Sequence, residues 1–298
     1  MSVIRDLLAL SHQLVDSDSA ALDTELLLAH CLGKDRTYLY TWPECEAAAD
    51  TEKRFRELFE RRRRGEPIAY LVGHRDFWSL SLTVDNSTLI PRPDTERLIE
   101  VALELFDREC AAVLDLGTGT GAIALALAKE RPRWRVVGTD IAGAAVALAQ
   151  RNARDLNIGN AEFLQSDWFD NIAPARFDLI VSNPPYIDAD DPHLTRGDVR
   201  FEPRRALVAE QHGLAAFARI AEQARDYLSA GGWLLFEHGY EQAPAVRAML
   251  ARHAFTSIET WRDWGGNERV SGGCLPAAHA TSGDDLSGYD CSEKERKR

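Results

Sequence analysis

The chain has 298 residues, 45% of them apolar and 28% charged, the composition of a folded protein with one large domain or two modest ones. Its formal charge of −12, from 35 basic and 47 acidic residues, argues against a protein that grips nucleic acid mainly through phosphates, so DNA is not the expected partner. No apolar run is long enough to span a bilayer, and the start Met1-Ser2-Val3-Ile4-Arg5-Asp6 lacks the basic-then-apolar pattern of a signal peptide. The five cysteines are widely spaced and no pair has metal-ligand spacing, so the expectation is a cytoplasmic protein with reduced cysteines and no metal.

Residues 1–73 read as helical. Leu7, Leu8, Leu10 and Leu14 share one face, and Leu22, Leu26, Leu27 and Ala29 share another. Phe55, Leu58 and Phe59 recur at helical spacing after Asp50, an expected N-cap. With no strand of its own, this segment is predicted to be a small helical bundle that holds a partner. The run Arg61 to Arg64 reads as a solvated helix end, with an acidic partner surface as the second option. Over residues 74–90 the period changes. Leu80, Leu82 and Val84 alternate, Asp85-Asn86-Ser87 is turn-like, and Leu89-Ile90 resumes, which predicts a β-hairpin linker.

Residues 91–275 alternate between strand-like and helix-like segments. Ala112 to Leu114, Arg135 to Gly138, Phe163-Leu164, Leu179 to Val181 and Trp233 to Phe236 are apolar strands. Ala122 to Lys129 and Ala144 to Leu156 are helical. This alternation predicts an α/β, doubly wound, mostly parallel sheet with helices on both faces. Residues 276–298 are rich in Ser, Gly, Asp, Lys and Arg and are predicted to be a disordered tail.

Two segments carry chemistry. The first, Asp115-Leu116-Gly117-Thr118-Gly119-Thr120-Gly121, joins a strand to a helix. Alternating glycines let the backbone turn sharply and approach a ligand, and the helix near Ala122 is expected to present free N–H groups there. Gly119-Thr120-Gly121-Ala122-Ile123-Ala124 also resembles part of the dinucleotide fingerprint, so a nicotinamide cofactor stands beside S-adenosyl-L-methionine. Asp115 favours the latter, because a carboxylate sits poorly beside a pyrophosphate but is tolerable near a sulfonium and an amino group. Asp140, after the next strand, can accept both ribose hydroxyls, which indicates adenosine rather than either cofactor; a helix N-cap is the plainer role. Asp167 and Trp168, after the third strand, are candidates for the adenine amino group and the adenine pocket.

The second is Asn183-Pro184-Pro185-Tyr186, at the end of the Leu179 to Val181 strand. An amide nitrogen is a poor nucleophile because its lone pair is delocalised into the carbonyl. Two acceptors aimed at its two N–H bonds would hold the NH2 group for an in-line methyl transfer. The Asn183 side-chain oxygen and the Pro184 carbonyl are the candidate pair, pre-set by prolines that fix φ, and Tyr186 offers an aromatic face to a planar amide. His238 reads as a packed or hydrogen-bonded residue rather than a catalyst.

On these residues the chain resembles the peptide-chain release factor N5-glutamine methyltransferases, over roughly Asp16 to Val270. The resemblance rests on Arg61 to Ala69, Phe77-Trp78, Leu89-Ile90-Pro91-Arg92-Pro93-Asp94-Thr95-Glu96, Asp115 to Gly121, Gln165 to Phe169, Ser182 to Asp188, Phe201-Glu202-Pro203 and Asn267 to Val270. It implies a seven-stranded Rossmann-like methyltransferase sheet, and methylation of the glutamine in the Gly-Gly-Gln motif of bacterial class-1 release factors. It implies cofactor contacts from Gly117, Thr118, Gly119, Thr120, Gly121, Asp140, Trp168 and Asn183. It gives the glutamine to Asn183, Pro184, Pro185 and Tyr186, and the release factor to the helical domain. The tetrapeptide is shared with adenine-N6 nucleic-acid methyltransferases, and ribosomal-protein glutamine methyltransferases are a further alternative. The Pro91 to Glu96 block favours the release factor enzymes. One departure is expected: Ser271-Gly272-Gly273-Cys274 is poor material for a regular final strand.

Overall fold

The central strands of this protein bury both faces, and their sequences show it. In a computed structural model, which describes residues 2–277, adjacent residues of each strand enter opposite cores. Val113, Val136, Leu179, Val181 and Leu235 join one apolar cluster; Leu114, Val137, Ile180, Leu234 and Phe236 join the other. A strand buried on both faces reads as a continuous apolar run, and it belongs in a parallel sheet covered by helices.

The described residues form two compact units: 2–75 with Thr83–Asn86 and Pro192–Glu202, and Asp76–Leu82 with Ser87–Asp191 and 203–277. The first is helical, with helices Ile4–Leu8, Ala20–Leu32, Arg36–Thr41, Ala49–Arg63 and Ile68–Val72. Its core gathers Ile4, Leu7, Leu27, Leu28, Leu39, Phe55 and Phe59. Leu22 points outward, 39% exposed, while Asp23 takes a buried position on the same helix. The reason is an ion-pair cluster: Asp23 accepts from Ser17 and Ser19 hydroxyls at 2.7 and 2.9 Å and from Arg62 Nε at 2.7 Å. Arg62 also pairs with Asp198 at 2.9 Å, which draws Pro192–Glu202 into this unit. The Arg61 to Arg64 run is therefore not simply solvated; Arg61 pairs with Glu66 and Arg63 with Glu60. Asp50 is not an N-cap. Ala48 holds that position without a side-chain bond, and Asp50 lies in the first turn.

Strands β1 (His74–Phe77) and β2 (Leu80–Thr83) form the expected hairpin, but its turn falls at Trp78-Ser79 rather than at Asp85 to Ser87. Trp78 adopts φ 55°, and the strain of that left-handed conformation is offset by two bonds. Its backbone N–H donates to Glu96 and its indole N–H to Glu130, each at 2.8 Å.

The second unit is a seven-stranded sheet in the order β5-β4-β3-β6-β7-β9-β8, with β3 Ala112–Leu116, β4 Arg135–Asp140, β5 Ala161–Gln165, β6 Phe177–Ser182, β7 Leu228–Glu237, β8 Thr256–Arg262 and β9 Glu268–Cys274. All neighbours from β5 to β7 pair in parallel, and β9 runs antiparallel between β7 and β8. Helices Glu96–Leu105, Ala122–Glu130 and Gly143–Asp155 pack on one face, and Ala215–Tyr227 and Ala243–Arg252 on the other.

The expected irregularity in the last strand is present on one side only. Ser271 to Cys274 lie inside β9 in unbroken register with β7, while the pairing with β8 is bulged between Thr256 and Glu259 and gives Gly273 no β8 partner. The glycines are there for space: a Cβ on Gly272 would stand 2.8 Å from the Leu234 carbonyl oxygen, and one on Gly273 2.9 Å from Phe255 Cβ. Ser271 is fully buried and bonds His238 and Thr260. The predicted tail, apart from Pro276 and Ala277, lies outside the described residues. Among the described residues, no helix is long and apolar enough to cross a membrane.

Candidate active site

After β3 the chain winds toward β4 and β5; after β6 it winds toward β7, on the opposite side. The connections leaving the carboxyl ends of β3 and β6 therefore diverge, and such a switch point opens a crevice where ligands bind in doubly wound sheets. A cavity of about 380 Å³ lies there. Gly117, Thr118, Gly119 and Thr120 line it from β3, Asp140 from β4, Asp167 and Trp168 from β5, and Asn183 and Pro185 from β6. Gly121, Pro184 and Tyr186 are not among its walls, and neither is Asp115.

The loop after β3 is built by left-handed glycines: φ is 75° at Gly117, 55° at Gly119 and 83° at Gly121. Four of its amides are satisfied within the protein. Gly117 and Thr118 N–H donate to the Thr139 carbonyl at 2.8 Å, Gly119 N–H to Asp140 Oδ2 at 3.0 Å and Gly121 N–H to the Thr118 carbonyl at 2.8 Å. In the first turn of the following helix, Ala124 N–H donates to Asp115 Oδ2 at 3.3 Å and Leu125 N–H to the Gly121 carbonyl at 2.8 Å. The N–H groups of Thr120, Ala122 and Ile123 are left at the cavity wall, the free helix-start donors that the sequence suggested.

Asp115 does not face a ligand. It is fully buried, and it organises the loop by accepting from Thr118 Oγ1 at 2.6 Å as well as from Ala124. Burial raises its pKa from 3.8 to about 7, against the pull of those two hydrogen bonds. A raised carboxyl pKa means that the fold favours the protonated form. The associated stability is complete below about pH 4 and is lost as pH rises through about 7. Asp115→Asn cannot ionise. The unfolding free energy of the variant minus that of the wild type should therefore grow by on the order of 2–4 kcal/mol from pH 4 to pH 8. Urea unfolding of the ligand-free protein measures this, and a pH-independent difference would count against the assignment.

Asp140 ends β4 and closes two turns: Oδ1 accepts from Ala142 N–H at 2.9 Å and Oδ2 from Gly119 N–H. Each oxygen keeps a further lone pair beside the cavity. Asp167 is engaged by Arg219 Nη1, at 3.0 and 2.8 Å to its two oxygens. Trp168, held at φ 52°, packs partly on the core and partly along the cavity, its ring 3.7 Å from where a Cβ on Gly117 would stand.

After β6, Asn183 Nδ2 donates to Thr95 Oγ1 at 3.2 Å, which leaves the side-chain oxygen as the other polar end of an amide that lines the cavity. The end of the tetrapeptide is clamped. Gln242 Nε2 donates to the Tyr186 carbonyl at 2.9 Å while Gln242 Oε1 accepts from Gly239 N–H at 3.0 Å. Gly213 lies so close that a Cβ there would stand 2.1 Å from the same Tyr186 carbonyl oxygen. The Tyr186 hydroxyl is 3.5 Å from Glu237 Oε1, and burial pushes the phenol pKa up. Glu237 is buried at the end of β7, and burial raises its carboxyl to about 7 against the pull of Thr95 and Arg269. His238 is fully buried and its pKa is lowered, chiefly by burial. Its Nδ1–H donates to the Gly239 carbonyl at 2.9 Å, and Nε2 accepts from Ser271 at 2.8 Å.

Sequence reasoning missed Thr95, Glu237 and Gln242, and also Arg205 and Val208, which line the cavity. Thr95 was visible as part of the Pro91 to Glu96 block, and Glu237 as a carboxylate ending an apolar strand. Nothing in the local pattern singles out Arg205 or Val208.

Known proteins agree with this layout. The profile of the PrmC N-terminal domain matches residues 7–73, and that of the methyltransferase small domain matches residues 96–197. The release factor glutamine methyltransferase of Pseudomonas aeruginosa is 54% identical over 259 residues, 87% of this chain and 94% of that protein. That of Salmonella typhimurium is 54% identical over 262 residues, 88% of this chain and 95% of that protein. A methyltransferase of known structure from Pyrococcus furiosus shares the fold, with a TM-score of 0.52 at 16% identity, over 78% of this chain and 100% of that one. At more than half identity over nearly the whole length of its relatives, this chain belongs to the release factor glutamine methyltransferase family.

Proposed function

We propose that this chain transfers a methyl group from S-adenosyl-L-methionine to the side-chain amide nitrogen, N5, of the glutamine in the Gly-Gly-Gln motif of bacterial class-1 peptide-chain release factors, and so modulates translation termination. The observation that carries this reading is the orientation of Asn183. Its NH2 is taken by Thr95, so an oxygen acceptor is left at the edge of the cavity. An amide substrate needs an acceptor there. The cavity also suits this cofactor better than a dinucleotide, because a carboxylate, Asp140, sits at the glycine turn and takes the Gly119 N–H where a pyrophosphate would need it.

When bound, the cofactor supplies an electrophilic methyl group on a sulfonium. In this reading Gly117, Thr118, Gly119, Thr120 and Gly121 form the turn against which it lies, Asp140 accepts its ribose hydroxyls, and Trp168 borders its adenine. The Asn183 side-chain oxygen and the Pro184 carbonyl accept the two N–H bonds of the substrate amide, with Pro185 and Tyr186 holding its plane. Both acceptors are fixed before the substrate arrives, which removes an ordering step from the barrier. Residues 1–73 would hold the body of the release factor, and residues 91–275 would carry the chemistry. The cytoplasm, where release factors act, is the setting of this reaction.

Mass spectrometry of a release factor incubated with the enzyme and labelled cofactor tests the proposal. One methyl on the Gly-Gly-Gln glutamine is expected, and none on adenine in DNA. Cofactor binding should depend on Asp140: loss of hydrogen bonds to a charged acceptor costs about 1.5–3 kcal/mol, so Asp140→Ala should weaken S-adenosyl-L-methionine by roughly ten- to a hundredfold. Unchanged affinity by calorimetry in a folded variant would sink the ribose assignment.

A further inference from the structure

The Asn183 amide has two ends, and only its oxygen can accept a substrate N–H. We propose that Thr95 and Glu237 are positioning residues that fix this choice, turning the Asn183 oxygen rather than its NH2 toward the substrate; the inference rests on the amide-methylating reading above.

Three separate segments converge. Thr95 ends the 3-10 turn Pro93–Thr95 ahead of helix Glu96–Leu105. Ser182 pairs with Phe236 across β6 and β7, so the next residues in each strand, Asn183 and Glu237, emerge side by side. Thr95 and Glu237 are 4% and 1% exposed, so water does not supply alternative partners.

With Glu237 ionised, the donors and acceptors permit one arrangement. Thr95 Oγ1 accepts from Asn183 Nδ2 at 3.2 Å. The same hydroxyl bonds the Glu237 carboxylate, whose Oε1 also lies 3.5 Å from the Tyr186 hydroxyl. A hydroxyl has one proton, and an ionised carboxylate only accepts. The Thr95 proton is therefore committed to Glu237, and its lone pairs are left for Asn183 Nδ2. Without the carboxylate that proton is free to bond the Asn183 oxygen. The amide would then rotate and present its NH2 to the NH2 of the substrate, donor against donor. The charges around Glu237 are Arg269 and Asp94, with the Tyr186 phenol beside them. Burial raises the Glu237 carboxyl to about 7, and the positive charge of Arg269, 3.3 Å from both Asp94 and Asp263, opposes that rise, so the arrangement belongs to the enzyme above about pH 7.

The test is a double-mutant cycle on the full chain with release factor as substrate. Thr95→Val removes the hydroxyl at nearly constant shape. It should lower kcat by on the order of ten- to a hundredfold, with cofactor Kd and Tm close to wild type. Thr95→Ser should recover most of the lost rate, and Glu237→Gln, whose amide can donate to Thr95, should fall on the low side of the Thr95→Val effect. The deciding measurement is Thr95→Val in an Asn183→Ala background. A residue acting through the Asn183 amide should have no further effect there. Full kcat in Thr95→Val, or an equal loss in both backgrounds, would overturn the inference alone. Failure of the wild-type enzyme to methylate glutamine would overturn the substrate reading and this inference together.

Discussion

Asn183→Ala is expected to lower kcat by about a hundred- to a thousandfold, the usual effect of deleting one pre-organised polar contact at a reacting group. The loss should appear in kcat far more than in cofactor affinity. On the proposed acceptor role the Asn183 oxygen acts on the amide as its nitrogen becomes pyramidal, so its contribution is made mostly in the transition state. The substrate side has a matching expectation. A release factor with glutamate in place of the Gly-Gly-Gln glutamine should not be methylated, because a carboxylate has no N–H to present and would set its charge against the Asn183 oxygen and the Pro184 carbonyl. Steady-state kinetics on both proteins checks this. Near-normal turnover of Asn183→Ala would refute the acceptor role while leaving the family membership untouched.

The second large effect concerns a residue that does not line the cavity. Gly213 has φ +80°, and a Cβ there would stand 2.1 Å from the Tyr186 carbonyl oxygen. That oxygen is backbone and is bonded by Gln242 Nε2, which would itself stand 2.8 Å from the added Cβ, so it cannot swing aside as a side chain can. Gly213→Ala must therefore push the Asn183 to Tyr186 segment away from its position. A displacement of about 1 Å at a reacting group can cost on the order of a hundredfold in rate. The expected result is a kcat loss of that order with cofactor affinity nearly retained, because Asp140 and the glycine turn are not touched. Wild-type turnover in Gly213→Ala would show that the tetrapeptide is not held from this side.

The locations of the chemistry were legible early because they depend on local rules. Alternating glycines after a strand specify a turn with positive φ, and they fold that way at Gly117, Gly119 and Gly121. Two prolines after an apolar strand fix the backbone of the tetrapeptide whatever surrounds it. Asp140 was placed correctly beside the cavity because the carboxyl end of a parallel strand is where such a fold exposes its residues. Asp115 shows the limit of this reasoning. Its place in the loop suggested a ligand contact, but whether a carboxylate faces outward or inward depends on side-chain direction. Here it turns inward to bond Thr118 and Ala124.

The amino-acid sequence by itself determined the class of fold, the order of its elements, the glycine turn and the place of the Asn183 to Tyr186 tetrapeptide at the end of a strand. These follow from hydrophobic period, from φ restrictions and from short-range spacing, all of which act within a few residues. Only the tertiary structure decided the rest. The hairpin turned at Trp78 because Glu96 and Glu130 stand ready to bond it. Ser271 to Cys274 became a strand because β7 pairs with all four residues, with a bulge taken up on the β8 side, and because the packing leaves room only for glycine at two positions. Asn183 faces as it does because Thr95, 88 residues away in sequence, accepts from its NH2. Each of these depends on which partners long-range packing brings within hydrogen-bonding distance, and no local pattern encodes that.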